Sequence, residues 1–109
     1  MYLNPTDKKN AIKLPINQDA WMLLQFENHE LIRIHLNPGA SIDNHINNWR
    51  IVFYLLQGEG DLNVEGENHH LHTHQCIAVE AGQKRSWHNT GKEELHLLVI
   101  KTKEEHEIL

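Results

Sequence analysis

Ten of the 109 residues are histidine, and imidazole is both the commonest metal ligand and the side chain whose unperturbed charge changes between pH 5 and 8. A small chain with so many points to metal chemistry or to a response to pH. The densest group is His69, His70, His72 and His74, separated by Leu71 and Thr73. If this run is a strand, alternation places His70, His72 and His74 on one face, about 6–7 Å apart, with Leu71 turned to the core. Neighbouring imidazoles on a strand can chelate Zn, Ni or Cu, so the stripe is a candidate surface metal site. Its other reading is a solvated or subunit-facing surface that loosens as the rings protonate near pH 6. Cys76 precedes the apolar run Ile77-Ala78-Val79 and is expected to be a buried, inert thiol.

Short strands must position these groups. Residues 21–26 and 31–36 are apolar runs joined by a Glu27-Asn28-His29-Glu30 turn and closed by Asn37-Pro38-Gly39. In the second run Ile32, Ile34 and Leu36 share one face while Leu31, Arg33 and His35 share the other, the period of two of a half-buried strand. Residues 51–56 are apolar on both faces and need cover on both, from an N-terminal arm or a second copy of the chain. Turns are expected around Gly58 and Gly60, at Glu65-Gly66-Glu67, at Ala81-Gly82-Gln83 and at Asn89-Thr90-Gly91, with a last strand at residues 95–100. No helical period is sustained. The spacing predicts an all-β sandwich or barrel: residues 1–20 a polar arm with a short edge strand near 11–14, residues 21–101 the barrel, and residues 102–109 a frayed or short helical tail.

The length allows one domain. With 10 Lys and Arg against 15 Asp and Glu, the net charge of -5 argues against nucleic-acid or anionic-membrane partners. The longest apolar run falls far short of the ~20 residues of a membrane helix. With no signal-like N-terminal segment and a single cysteine, the expected location is the cytoplasm.

Gly39, His45 and Gly58, then Gly82 and Asn89, carry a spacing through which the sequence resembles the cupin family of double-stranded β-helix (jelly-roll) barrels, over roughly residues 31–100. The family's first motif is Gly, five residues, His-x-His, three or four residues, Glu, six residues, Gly. It meets Asn47 at its second His and Ile51 at its Glu. The second motif is Gly, five residues, Pro-x-Gly, two residues, His, three residues, Asn. It meets His74, Glu80 and Arg85 at its first Gly, its Pro and its His. The resemblance thus implies that only His45 remains of a metal site of three His and one Glu, and that Arg85 puts a permanent positive charge where the ion would sit.

The resemblance also implies that His45, Asn47, Ile51 and Arg85 point into the barrel, where alternation adds Phe53, Leu55 and Trp87. A pocket lined by His45, Asn47, Ile51, Phe53, Arg85 and Trp87 is mostly apolar with a few convergent polar groups, suited to a small organic anion held by the guanidinium. Other readings stay open. His45 is a candidate catalytic acid–base, as in the metal-free sugar epimerases and isomerases of the family, although the inner positions supply no Asp, Glu or Tyr as a second proton carrier. An inward His96 joining His45 would rebuild a site for Zn, Ni, Fe or Mn and dioxygenase or isomerase chemistry. A structural or regulatory dimer with a vestigial pocket is the third. His35 and His88 are expected outside the barrel wall, and His29 and His106 in solvent. The expected partners are a small-molecule ligand and a second copy of the chain in a homodimer.

Overall fold

The computed structural model describes residues 12–13 and 18–103; His106 and most of the expected tail lie outside them. Among the described residues ten strands follow one another: β1 (Ile12–Lys13), β2 (Asp19–Phe26), β3 (His29–Leu36), β4 (Ser41–Ile46), β5 (Arg50–Gln57), β6 (Glu59–Val64), β7 (Glu67–His72), β8 (Cys76–Val79), β9 (Lys84–His88) and β10 (Leu95–Thr102). They form two antiparallel sheets, β1-β2-β3-β10-β5-β8 and β4-β9-β6-β7, the all-β jelly roll that the sequence predicts. The short strand expected near residues 11–14 is β1, paired with Asp19 and Ala20 of β2.

Alternation builds the core. Ile32, Ile34 and Leu36 of β3, Ile51, Phe53 and Leu55 of β5, and Leu95, Leu97 and Val99 of β10 are buried together. The ladder sets Ile32 and Phe53 on either side of Val99, and Ile34 and Leu55 on either side of Leu97. The opposing sheet contributes Ile42, Leu62, Leu71 and Trp87. Fully burying an aliphatic side chain is worth about 1.5–3 kcal/mol, so these facing rows carry the fold.

Several turns use left-handed backbone. Asn28 (φ 59°) closes the β2–β3 hairpin, and Glu65 (φ 50°) with Gly66 (φ 88°) closes β6–β7; two positive φ values in succession are the signature of a hairpin turn that matches the strand twist. Gly58 is more constrained still, because at φ +87° an added Cβ would sit 3.0 Å from the Glu94 carbonyl oxygen.

One bulge matters for the site. On β4, Ile42 pairs with Trp87 and His45 with Arg85 of β9, so β4 spends one residue more than its partner between those pairs. Residues three apart on a regular strand face opposite sides; the extra residue lets Ile42 and His45 both face inward.

Asn89 ties the end of β9 to two neighbouring segments. Its side chain is 1% exposed, donates to the carbonyls of Leu36 and Glu93 at 2.9 Å each, and accepts from the Gly91 amide at 2.9 Å. Its backbone also joins Gly39 and Ala40. Removing the amide leaves buried carbonyls without donors, so Asn89→Ala is expected to lower the unfolding free energy by about 2–3 kcal/mol. Urea denaturation checks this, and a loss no larger than the ±0.5 kcal/mol of a surface substitution would mean the corner does not depend on it.

Candidate functional site

The barrel encloses a cavity of about 250 Å³. β3 and β10 supply Ile32, Ile34 and Val99, and β5 supplies Ile51 and Phe53. From the four-stranded sheet come Ile42, His45, Ser86, Trp87 and Arg85, with Asn47 from the loop after β4 and Lys101 from the end of β10. The six residues expected to form a pocket therefore line one cavity. Lys101 is an addition, one residue beyond the end expected for the last strand. The alternation Leu95, Leu97, Val99 continued one more step would have found it.

The cavity's charged groups, Arg85 and Lys101, are cationic. Arg85 is 9% exposed, stands across the ladder from His45, and has its guanidinium carbon 5.9 Å from the centre of the Phe53 ring. Burial lowers its pKa, yet arginine stays charged at neutral pH. Among the described residues it has no carboxylate partner. Lys101 is anchored by Glu30 at 3.4 Å and lies 5.4 Å from the centre of the Trp49 ring. Burial first, then the charges of Arg85 and Lys101, hold the His45 pKa below its ordinary value, so this imidazole is neutral at pH 7. The Asn47 side-chain oxygen accepts from the Trp49 amide at 2.9 Å. Trp87, edge-on to Phe53 at 5.4 Å, has a buried Nε1 with no acceptor among the described residues.

His96 does not join His45. Leu95, Leu97 and Val99 take the inner face of β10, which turns His96 outward, where it stacks on His35 at 3.6 Å and 6°. Arg33 donates from Nε to Nε2 of His35 at 2.8 Å and from its terminal nitrogen to Nδ1 of His96 at 3.0 Å. Arginine has no acceptor, so both neutral rings carry their proton on the other nitrogen. Both of those face Glu94, at 3.2 Å from His35 and 2.7 Å from His96. The spacing of His35, Glu94 and His96 could hold a metal ion, but Arg33 occupies the nitrogen that a ligating imidazole uses for its own proton.

The histidine stripe is also rearranged. His70 and His72 face outward as expected, but β7 ends at His72, and His74 falls in the following turn with φ 70°. Its ring lies 3.0 Å from the Tyr54 hydroxyl instead. The third member of the outer group is Glu59 from β6, and Glu59, His70 and His72 could hold a metal ion. Cys76 is exposed rather than buried, because β8 turns Val79 to the core and Cys76 to the outer side. His35 and His88 lie outside the barrel wall as expected.

The family model described as Cupin domain matches residues 32–101. The chain belongs to the cupin family. No functionally curated protein matches it significantly. Among solved structures, this cupin is similar to a predicted oxalate decarboxylase of Thermotoga maritima, at 24% identity and TM-score 0.75 over 80% of this chain and 81% of that one. It is also similar to a Cupin 2 conserved barrel domain protein of Salinispora arenicola, at 19% identity and TM-score 0.79 over 94% and 88%. A protein of unknown function from Streptococcus pyogenes aligns at 17% identity and TM-score 0.77 over 97% of both chains. At these identities the likeness is one of fold.

The His35 cluster sets a pH dependence. Burial, then His96 and Arg33, lower the His35 pKa from 6.5 to about 4 against the opposing pull of Glu94. Between those values the unfolded chain binds more protons than the folded one, so stability falls as the pH drops from about 6.5 to about 4 and is flat below. The loss attributable to this ring is at most about 3 kcal/mol. Urea midpoints taken across this window are expected to fall for the unaltered chain and to fall less steeply for His35→Gln; equal slopes would assign the dependence elsewhere.

Proposed function

We propose that this cupin binds a small organic anion, most simply a carboxylate, inside its barrel. The observation that carries the reading is Arg85, a charged guanidinium in an apolar cavity with no carboxylate partner among the described residues. Such a group is costly to bury alone, and a ligand carboxylate taken bidentately would offset that cost. Lys101 adds a second cation on the same cavity, and the unpaired Trp87 Nε1 is a further donor awaiting an acceptor. The volume, about eight waters' worth at liquid density, suits a short metabolite rather than a drug-sized molecule.

The metal position of the family fits these residues poorly. His45 is one imidazole, the Asn47 oxygen is engaged by the Trp49 amide, Ile51 has no donor atom, and Arg85 and Lys101 repel a cation. Turnover by acid–base chemistry is the weaker reading as well, because no Asp, Glu or Tyr among the described residues lines the cavity beside His45. Calorimetry against short mono- and dicarboxylates and sugar phosphates is expected to yield a ligand with submillimolar Kd. Arg85→Gln should weaken it about tenfold or more. A panel without any binding tighter than millimolar, or an Arg85→Gln protein that binds as well, would overturn the reading.

The expected homodimer we place on the outer face of the six-stranded sheet. The ladder there runs Leu31, Ile100, Val52 in one row and sets Leu98 beside Tyr54 in the next, and Ile100 is 36% exposed. Covering such an apolar face favours association. Sedimentation at micromolar concentration is expected to give a dimer, and Leu98→Glu a monomer; a monomeric unaltered chain would sink the proposal.

A further inference from the structure

The outer face of the four-stranded sheet carries a cluster that the barrel cavity does not use. β6 and β7 pair so that Glu59 lies opposite His72 and Asp61 opposite His70. Gly60, Leu62 and Leu71 are buried between them, which turns all four polar side chains to the outside. Nε2 of His70 lies 3.6 Å from Oε2 of Glu59, and Nδ1 of His72 lies 3.5 Å from the same oxygen. The three donor atoms fall within 4.8 Å of one another. A tetrahedral zinc ion with bonds of about 2.0–2.2 Å has ligand–ligand edges of about 3.3–3.6 Å. The two edges that meet at Glu59 already have that length.

His70 is prepared from behind. Its Nδ1 meets Oδ1 of Asp61 at 2.5 Å, and a proton held there leaves the Nε2 lone pair directed at the Glu59 side. A carboxylate behind a ligating imidazole fixes its tautomer and raises its basicity. The fourth position is open: Glu59 and His72 also line a surface groove of about 500 Å³ that includes Thr73, Thr90 and Lys92.

We propose that Glu59, His70 and His72 form a divalent transition-metal site on the outside of the barrel, with Asp61 positioning His70 and with water at the fourth position. Two imidazoles and a carboxylate in near-tetrahedral array favour Zn²⁺. The site is independent of whatever the barrel binds, since the sheet itself separates them.

The test uses full-length untagged protein, purified without a metal column and stripped with chelator, titrated with Zn²⁺ in a calorimeter. One equivalent is expected to bind with micromolar or tighter affinity, and Co²⁺ in its place should show the intense visible absorption of tetrahedral coordination. Glu59→Gln and His72→Ala should each weaken binding about tenfold or more, and Asp61→Asn by about 10- to 100-fold. His45→Ala and His74→Ala should bind as the unaltered chain does. The altered side chains are exposed or half-exposed, and circular dichroism confirms folding of each variant; if one fails to fold, the others and the Co²⁺ spectrum decide. Substoichiometric binding, wild-type affinity in both Glu59→Gln and His72→Ala, or loss of binding in His45→Ala instead would overturn the proposal.

Discussion

A guanidinium inside an apolar cavity keeps its charge against a desolvation cost of several kcal/mol, and the rest of the barrel is arranged around that constraint. Arg85 cannot retreat to solvent, because β9 is paired on both sides, with β4 and with β6. It faces His45 across the ladder and approaches the Phe53 ring, whose electron-rich face tolerates a cation. Its field, with that of Lys101, helps keep His45 uncharged. The cavity therefore has a fixed positive sign that a proton on His45 would only increase. That sign selects the class of guest before any shape is considered.

Much of this was legible in the sequence because a strand's period is two. The buried sets on β3, β5 and β10 could be read by alternation, and the pocket residues His45, Asn47, Ile51, Phe53, Arg85 and Trp87 follow from that period once the resemblance fixes the frame. The failures have physical causes. Apolar residues at successive positions along β10 leave its faces undetermined by pattern, so His96 had two directions until pairing with β3 and β5 chose one. Continuing the period past β7 makes His74 a strand residue, whereas the backbone there turns left-handed. A single extra residue in β4, which aims both Ile42 and His45 inward, has no compositional mark in Ser41–Ile46.

Alternation also divides the chemistry. β6 sends Gly60 and Leu62 to the core and Glu59 and Asp61 to the surface; β10 sends Leu97, Val99 and Lys101 inward and His96 outward. Each strand thus contributes to two surfaces that share a backbone but no side chains. Glu59 and His72, two of the proposed metal ligands on the outer face, come from neighbouring strands in the register of the β6–β7 hairpin. From sequence alone the histidines were visible, but their carboxylate was not, because its partnership is a matter of hairpin register.

The two outer clusters have nearly the same composition, two imidazoles and a glutamate, and differ in what stands behind the rings. Behind His35 and His96 is Arg33, which can only donate, so each ring must present its own N–H to Glu94. The result is a closed chain from guanidinium through imidazole to carboxylate, with both imidazole lone pairs spent. Behind His70 is Asp61, which can only accept while ionised, so a neutral ring holds its proton at the back and turns its lone pair toward Glu59. The charge of the rear partner sets the tautomer, and the tautomer decides whether a histidine pair bridges an internal ion pair or offers itself to a cation.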